Sequence, residues 1–101
     1  MKKIELLYFE GCPSYKTALE NLKAVLADEK IEAELQLINV DSPEKAEMLK
    51  FFGSPSIRVN GVDFEGKTGA YRYSCRIFTI DGQLSRVPTK KYIRERLLSN
   101  E

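Results

Sequence analysis

The chain contains two cysteines and no histidine, and that pairing narrows its chemistry at once. Without His there is no Ser-His-Asp or Cys-His nucleophile, and the commonest general base and metal ligand are gone. Two Cys cannot build a four-Cys zinc site or a disulfide-dense scaffold. What remains is thiol chemistry. Cys12 follows the apolar run Ile4-Glu5-Leu6-Leu7-Tyr8-Phe9 and the bounding Glu10-Gly11, and it opens a helical pattern. Unpaired N–H groups at a helix N-terminus carry about half a positive charge. A thiolate is favoured there over a thiol. Pro13 suits a first turn, where its missing N–H costs nothing. Cys12 is therefore expected to be at least partly exposed at a helix start and to titrate below the ordinary thiol value of about 8.5. The bland reading makes Cys12 a small apolar residue at a strand-helix junction. Glu5 and Glu10 would oppose the thiolate if they stood close.

These residues must be held by the elements around them. Ile4–Phe9 reads as a buried strand. Tyr15, Ala18, Leu19, Leu22, Val25 and Leu26 recur at spacings of three and four, which predicts a helix from Cys12 to near Lys30. Ala33, Leu35 and Leu37 alternate with polar neighbours, a strand running from Glu32 to about Val40. Asp41-Ser42-Pro43-Glu44 starts a second helix, with Asp41 as cap, and Gly53 is placed to stop it. Ser56-Ile57-Arg58-Val59 and Val62-Asp63-Phe64 flank Asn60-Gly61, the signal for a tight hairpin. Residues 65–74 form a Gly- and Tyr-bearing loop. Arg76-Ile77-Phe78-Thr79-Ile80 offers a further strand closed by Asp81-Gly82, and Lys90 to Leu98 a last amphipathic helix. The order is β-α-β-α-β-β-α with one possible extra strand. It predicts a single α/β domain over residues 1–101, a mixed sheet with helices on both faces. The expected core is Leu6, Tyr8, Leu22, Leu26, Leu37, Leu49, Ile57, Val59 and Ile93.

Composition agrees with one globular domain. Of 101 residues, 43% are hydrophobic and 31% charged, so apolar material is ample to offset chain entropy. Sixteen basic against 15 acidic residues leave a net charge of +1, which points away from nucleic acid and from anionic membrane as partners. No apolar run approaches the roughly 20 residues that cross a bilayer, and Met1-Lys2-Lys3-Ile4 has no signal-peptide core. A cytoplasmic monomer is expected.

Pro55 sits just before a strand, in Gly53-Ser54-Pro55-Ser56-Ile57. A Pro leading into a sheet must avoid the hydrogen-bonded ladder. Both a cis and a trans Ser54–Pro55 bond are compatible with that.

A strand, then Gly-Cys-Pro at a helix start, then Ser-Pro before a strand and an Asn-Gly hairpin, resembles the thioredoxin superfamily. The likeness is greatest to its small glutaredoxin-like bacterial members and spans about Lys3 to Leu98. Residues 53–63 with the later Ser74-Cys75-Arg76 resemble a less studied subgroup, some of whose members carry the label alkylmercury lyase. The resemblance implies a thioredoxin-like fold. It implies Cys12 as nucleophile, Ser54–Pro55 as a cis bond beside it, and a substrate groove shaped by Pro13, Ser14, Tyr15, Ser54 and Pro55. A dithiol enzyme of this kind has Cys-x-x-Cys. Here Cys12-Pro13-Ser14-Tyr15 is a monothiol motif, which implies a mixed disulfide with a protein or small-molecule substrate, resolved by glutathione or another thiol. No bound cofactor is implied.

Cys75 is the alternative resolving thiol. If the loop after the hairpin folds back over the active-site edge, Cys12 and Cys75 come within disulfide reach. If it runs to the far end of the sheet, Cys75 starts the Arg76–Ile80 strand, out of reach. The absence of a local dithiol favours the second geometry. Two further readings remain: a non-catalytic binding module, and capture of mercury or copper by the sulfurs of Cys12 and Cys75. Lys67, Arg72, Arg76 and Arg86, with Tyr71 and Tyr73, form a basic aromatic stretch. It reads as a solvated loop or as lining for an acidic ligand. Lys90, Lys91, Arg94, Glu95 and Arg96 read as the solvated face of the last helix.

Overall fold

The computed structural model describes residues 2–99. The first strand, β1 (Lys2–Tyr8), is the centre of the molecule. It pairs in parallel with β2 (Ala33–Asn39) on one side and antiparallel with β4 (Ser56–Val59) on the other. The short β5 (Val62–Asp63) closes the sheet, giving the order β2-β1-β4-β5. Asn60 and Gly61 both have positive φ, 52° and 85°, as the tight hairpin between β4 and β5 requires.

Alternation along β1 divides the core. Ile4 and Leu6 point to one face, where they meet Ala18, Leu22 and Val25 of α1 (Tyr15–Asp28) and Ile93 and Leu97 of α3 (Lys90–Ser99). Leu7 points to the other, where it meets Ala46 of α2 (Pro43–Leu49), Val40 and Phe51. Helices thus cover both faces of a mixed sheet, because a strand with apolar residues at both parities must be buried on both sides. No helix among the described residues is long and apolar enough to cross a membrane.

Several sequence expectations need correction. The first helix begins at Tyr15, not at Cys12; Cys12 to Ser14 form turns before it. The cap of α2 is Ser42, whose hydroxyl accepts the Lys45 N–H at 3.1 Å, rather than Asp41. That helix stops at Lys50 in a left-handed conformation (φ 53°), so Gly53 is not its terminator. Leu37 is 46% exposed: β2 is an edge strand, and although its Ala33 and Leu35 pack against the core, that cover does not extend to Leu37.

The strand count also exceeds expectation. Phe52–Ser54 is a separate strand, β3, paired in parallel with β6 (Arg72–Cys75). A hairpin of β7 (Phe78–Ile80) and β8 (Gln83–Ser85) follows, turning at Asp81-Gly82. Cys75 therefore ends a strand where it was expected to begin one. Arg76 and Ile77 break the run, because Arg76 turns into the interior.

Candidate functional site

The two cysteines are joined. Cys12 and Cys75 form a disulfide with Cα atoms 5.8 Å apart, across 63 residues of sequence. The geometry favoured from sequence, with Cys75 at the far end of the sheet, is overturned. The physical reason is β6. The chain returns from the β4–β5 hairpin, passes through exposed residues 66–71, and then pairs along β3. In that register Ser54 stands opposite Cys75, and the Arg76 N–H donates to the Ser54 carbonyl at 2.9 Å. The same carbonyl oxygen lies 3.7 Å from Cys12 Sγ. Ser54 thus holds both halves of the disulfide to one peptide unit.

Cys12 lies in a tight turn after β1, where its N–H donates to the Phe9 carbonyl at 3.2 Å. It is only 2% exposed, so the expected partial exposure is not found. Cys75 is the half-buried partner. Ser14, the residue flanking α1, makes no side-chain bond to the helix. Its hydroxyl instead faces Cys12 Sγ at 3.5 Å. The first turn of α1 carries no acidic residue, so no carboxylate there opposes a negative sulfur.

The other expected groove residues are placed differently from one another. Pro13 is exposed, while Tyr15 stacks on Tyr8 with ring centroids 4.1 Å apart and so serves packing. The Ser54–Pro55 bond is cis, the isomer the resemblance implies. Ser54 and Pro55 are nevertheless buried, because β6 of the same chain occupies the edge of β3 where the substrate groove was expected.

Behind the disulfide lies a buried ionic cluster that the sequence reading missed. Arg76 is 2% exposed. Its two terminal nitrogens donate to both oxygens of Asp63, at 2.7 and 2.9 Å. They also reach Ser56 Oγ at 3.0 Å and Glu65 at 2.6 Å. The Tyr92 hydroxyl donates to the second oxygen of Glu65. The guanidinium lies 5.5 Å from the Phe64 ring centre and 5.2 Å from that of Phe78, an aromatic enclosure. Burial works against the Arg76 charge, but the bonds and charges of Asp63 and then Glu65 outweigh it and raise its pKa. Burial, then the bond to Glu65, likewise raises the Tyr92 hydroxyl above its ordinary value. The sequence held no clear signal for this cluster: alternation with apolar Val62 and Phe64 would send Asp63 and Glu65 to solvent, whereas Asp63 is buried and Val62 is exposed.

Two cavities bear on chemistry near these groups. A small one of about 210 Å³ flanks the Cys12 turn and is lined by Phe9, Glu10, Gly11, Asp41 and Tyr73 among others. A second, of about 540 Å³, includes neither cysteine in its lining. Among the described residues no group of three or more His, Cys, Asp or Glu could hold a metal ion. No protein-family model matches the chain. No curated protein matches it either.

Proposed function

We propose that the chain is a thiol-disulfide redox protein of thioredoxin-like fold, with Cys12 and Cys75 as its redox-active pair. The observation that carries the reading is the disulfide itself, placed across the Ser54 carbonyl at the end of the first strand. The fold reading is supported by the β1-α1-β2 parallel unit, the Asn60-Gly61 hairpin and a Pro leading into β4. In place of a neighbouring second thiol, this chain supplies one from β6.

The exchange begins at the more exposed partner. An external thiolate attacks Cys75 Sγ; the Cys12–Cys75 bond breaks and Cys12 leaves as a thiolate. The Ser14 hydroxyl stabilises that leaving group, and a better-stabilised leaving thiolate departs faster. A second external thiolate then attacks the substrate sulfur of the mixed disulfide. It releases Cys75 and an external disulfide. The protein has gained two electrons and, on protonation of both thiolates, two protons. Run in reverse, the dithiol reduces an external disulfide, with Cys12 resolving the mixed disulfide formed on Cys75.

The cleft beside Cys12 favours particular thiols. Glu10 and Asp41 line it, so a neutral or cationic thiol is better suited than glutathione with its two carboxylates. Equilibration with a series of glutathione ratios, read by mass after alkylation, tests the function. The expected result is reversible two-electron titration, and turnover of a peptide disulfide that Cys12→Ser and Cys75→Ser each abolish. A disulfide that stays intact in millimolar cysteamine as well as glutathione and turns over no substrate would make it a structural staple and sink the proposal.

A further inference from the structure

The cavity of about 540 Å³ is at the opposite end of β3 from Cys75, and the redox reading makes no use of it. Its volume is that of a small-molecule pocket. It opens where the end of α2, the β4–β5 hairpin and residues 66–69 meet. Leu49, Phe52 and Val62 give it apolar walls, and Lys50, Arg58 and Lys67 surround them with positive charge. A neighbouring cavity of about 270 Å³ shares Phe52, Lys67 and Thr68 and adds Arg72. The two make one groove across Phe52.

The charge in this groove is unbalanced. The carboxylate in its lining, Asp63, has both oxygens bonded by Arg76. Arg58 donates to the Leu49 and Lys50 carbonyls, which fixes its position without neutralising it. Lys50, Lys67 and Arg72 have no ion pair among the described residues. The chain as a whole carries a net charge of only +1, so this gathering of cations is local and not a reflection of a basic protein. Like charges held together repel unless an anion joins them. Arg and Lys donors around an apolar wall are the means by which a multiply charged organic anion is held.

We propose that this groove binds a small organic polyanion, bearing phosphate or carboxylate groups on an apolar, planar body. The anionic groups bond Lys50, Lys67 and Arg72, and the planar body lies against Phe52 and Val62. The site stands independently of the redox proposal.

Titration of the oxidised protein with 1-naphthyl phosphate and with benzene-1,3,5-tricarboxylate, followed by amide chemical shifts at physiological ionic strength, tests it. The expected result is saturable binding of at least one probe, with shifts confined to Lys50, Phe52, Val62 and residues 66–72. The stronger probe identifies the anionic group. The exposed double variant K67E/R72E should weaken binding by about tenfold or more and keep the wild-type amide spectrum elsewhere. The single variant K50E is a second, milder check. No saturable binding of either probe at millimolar concentration, an unchanged affinity in both variants, or shifts scattered over surface lysines generally would overturn the proposal.

Discussion

Ser54 and Cys12 meet at 3.7 Å, carbonyl oxygen to sulfur, although 42 residues separate them in the chain. The carbonyl's other neighbour is the Arg76 N–H at 2.9 Å. One peptide unit therefore sets the distance between the strand-end cysteine and the strand that carries Cys75. Arg76 extends the same clamp through its side chain, which donates to Ser56 Oγ on the far side of Pro55. The reactive pair is held by backbone pairing and a buried ion cluster, not by adjacency in sequence.

Reduction should lower stability sharply. The disulfide closes a loop spanning 63 residues, for which the chain-entropy relation gives about 4 kcal/mol. Urea unfolding of the oxidised and reduced protein should show the midpoint falling accordingly. Cys75→Ser should match the reduced form. An unchanged midpoint would contradict the relation, since the cross-link would then be restricting the unfolded chain no more than the folded one.

Arg76→Met should cost about 3–5 kcal/mol, because it leaves Asp63 and Glu65 buried without their cation. Arg76→Lys should fall between wild type and Met. An ammonium keeps the charge but cannot bond Asp63 in two parallel contacts and reach Ser56 as well. Chemical denaturation of the oxidised proteins measures both. Equal stability for Met and wild type would show that the cluster adds nothing.

Tyr92 makes an alkaline signature. Its pKa is raised in the folded state by burial and by Glu65. The protonated hydroxyl therefore contributes stability that is complete below the unfolded value of about 10 and is lost as pH rises through the folded value. The stability advantage of wild type over Tyr92→Phe should be constant from neutral pH to about pH 9 and shrink above about pH 10. A gap that widened above that pH would reverse the sign and contradict the assignment.

Ser14→Ala separates chemistry from folding. The hydroxyl faces Cys12 Sγ at 3.5 Å and makes no bond to the helix, so its loss should change the unfolding free energy by no more than about 0.5 kcal/mol. The rate of disulfide reduction by a small thiol should fall several-fold, since Cys12 leaves with less stabilisation. In wild type, cysteamine should react faster than 3-mercaptopropionate of similar size, because Glu10 and Asp41 line the cleft next to the Cys12 turn. Identical rates for the two thiols would remove the argument for a cationic substrate.

Gly53 has φ of 102°, and a Cβ there would meet Arg76 Cβ at 3.0 Å and its Cα at 3.1 Å. Gly53→Ala should destabilise the oxidised protein by more than about 1 kcal/mol. It should also slow disulfide formation, because the β3–β6 pairing must open.

What was legible in the sequence was local. Asn60-Gly61 demands positive φ at both positions and could be read as a hairpin from two residues. The three- and four-residue spacing along α1 places Ala18, Leu22 and Val25 on one face before any partner is known. Leu37 was misplaced because alternation shows which residues share a face, not whether a helix reaches that face at the sheet edge. Cys75 was misplaced for a similar reason. Its position follows from β3–β6 pairing across about twenty residues of sequence, and Phe52-Gly53-Ser54 is too short and Gly-broken to announce itself as a strand. Arg76 read as a loop cation because its partners lie 11, 13 and 20 residues earlier, beyond any helical or strand repeat.

The bond between Cys12 and Cys75 turns most of the chain into a closed covalent ring, with β1 on one tail and α3 on the other. Residues 66–71, the exposed stretch most open to a protease, lie inside that ring. A cut there leaves the oxidised protein as a single connected molecule, with both cut ends still tethered through sulfur. The same cut becomes a severance when the bond is reduced, freeing a C-terminal piece that carries Arg76, Phe78 and Ile93 out of the core. Wounding and separation are thus two distinct events in this molecule, and the redox state of its surroundings decides whether the first leads to the second.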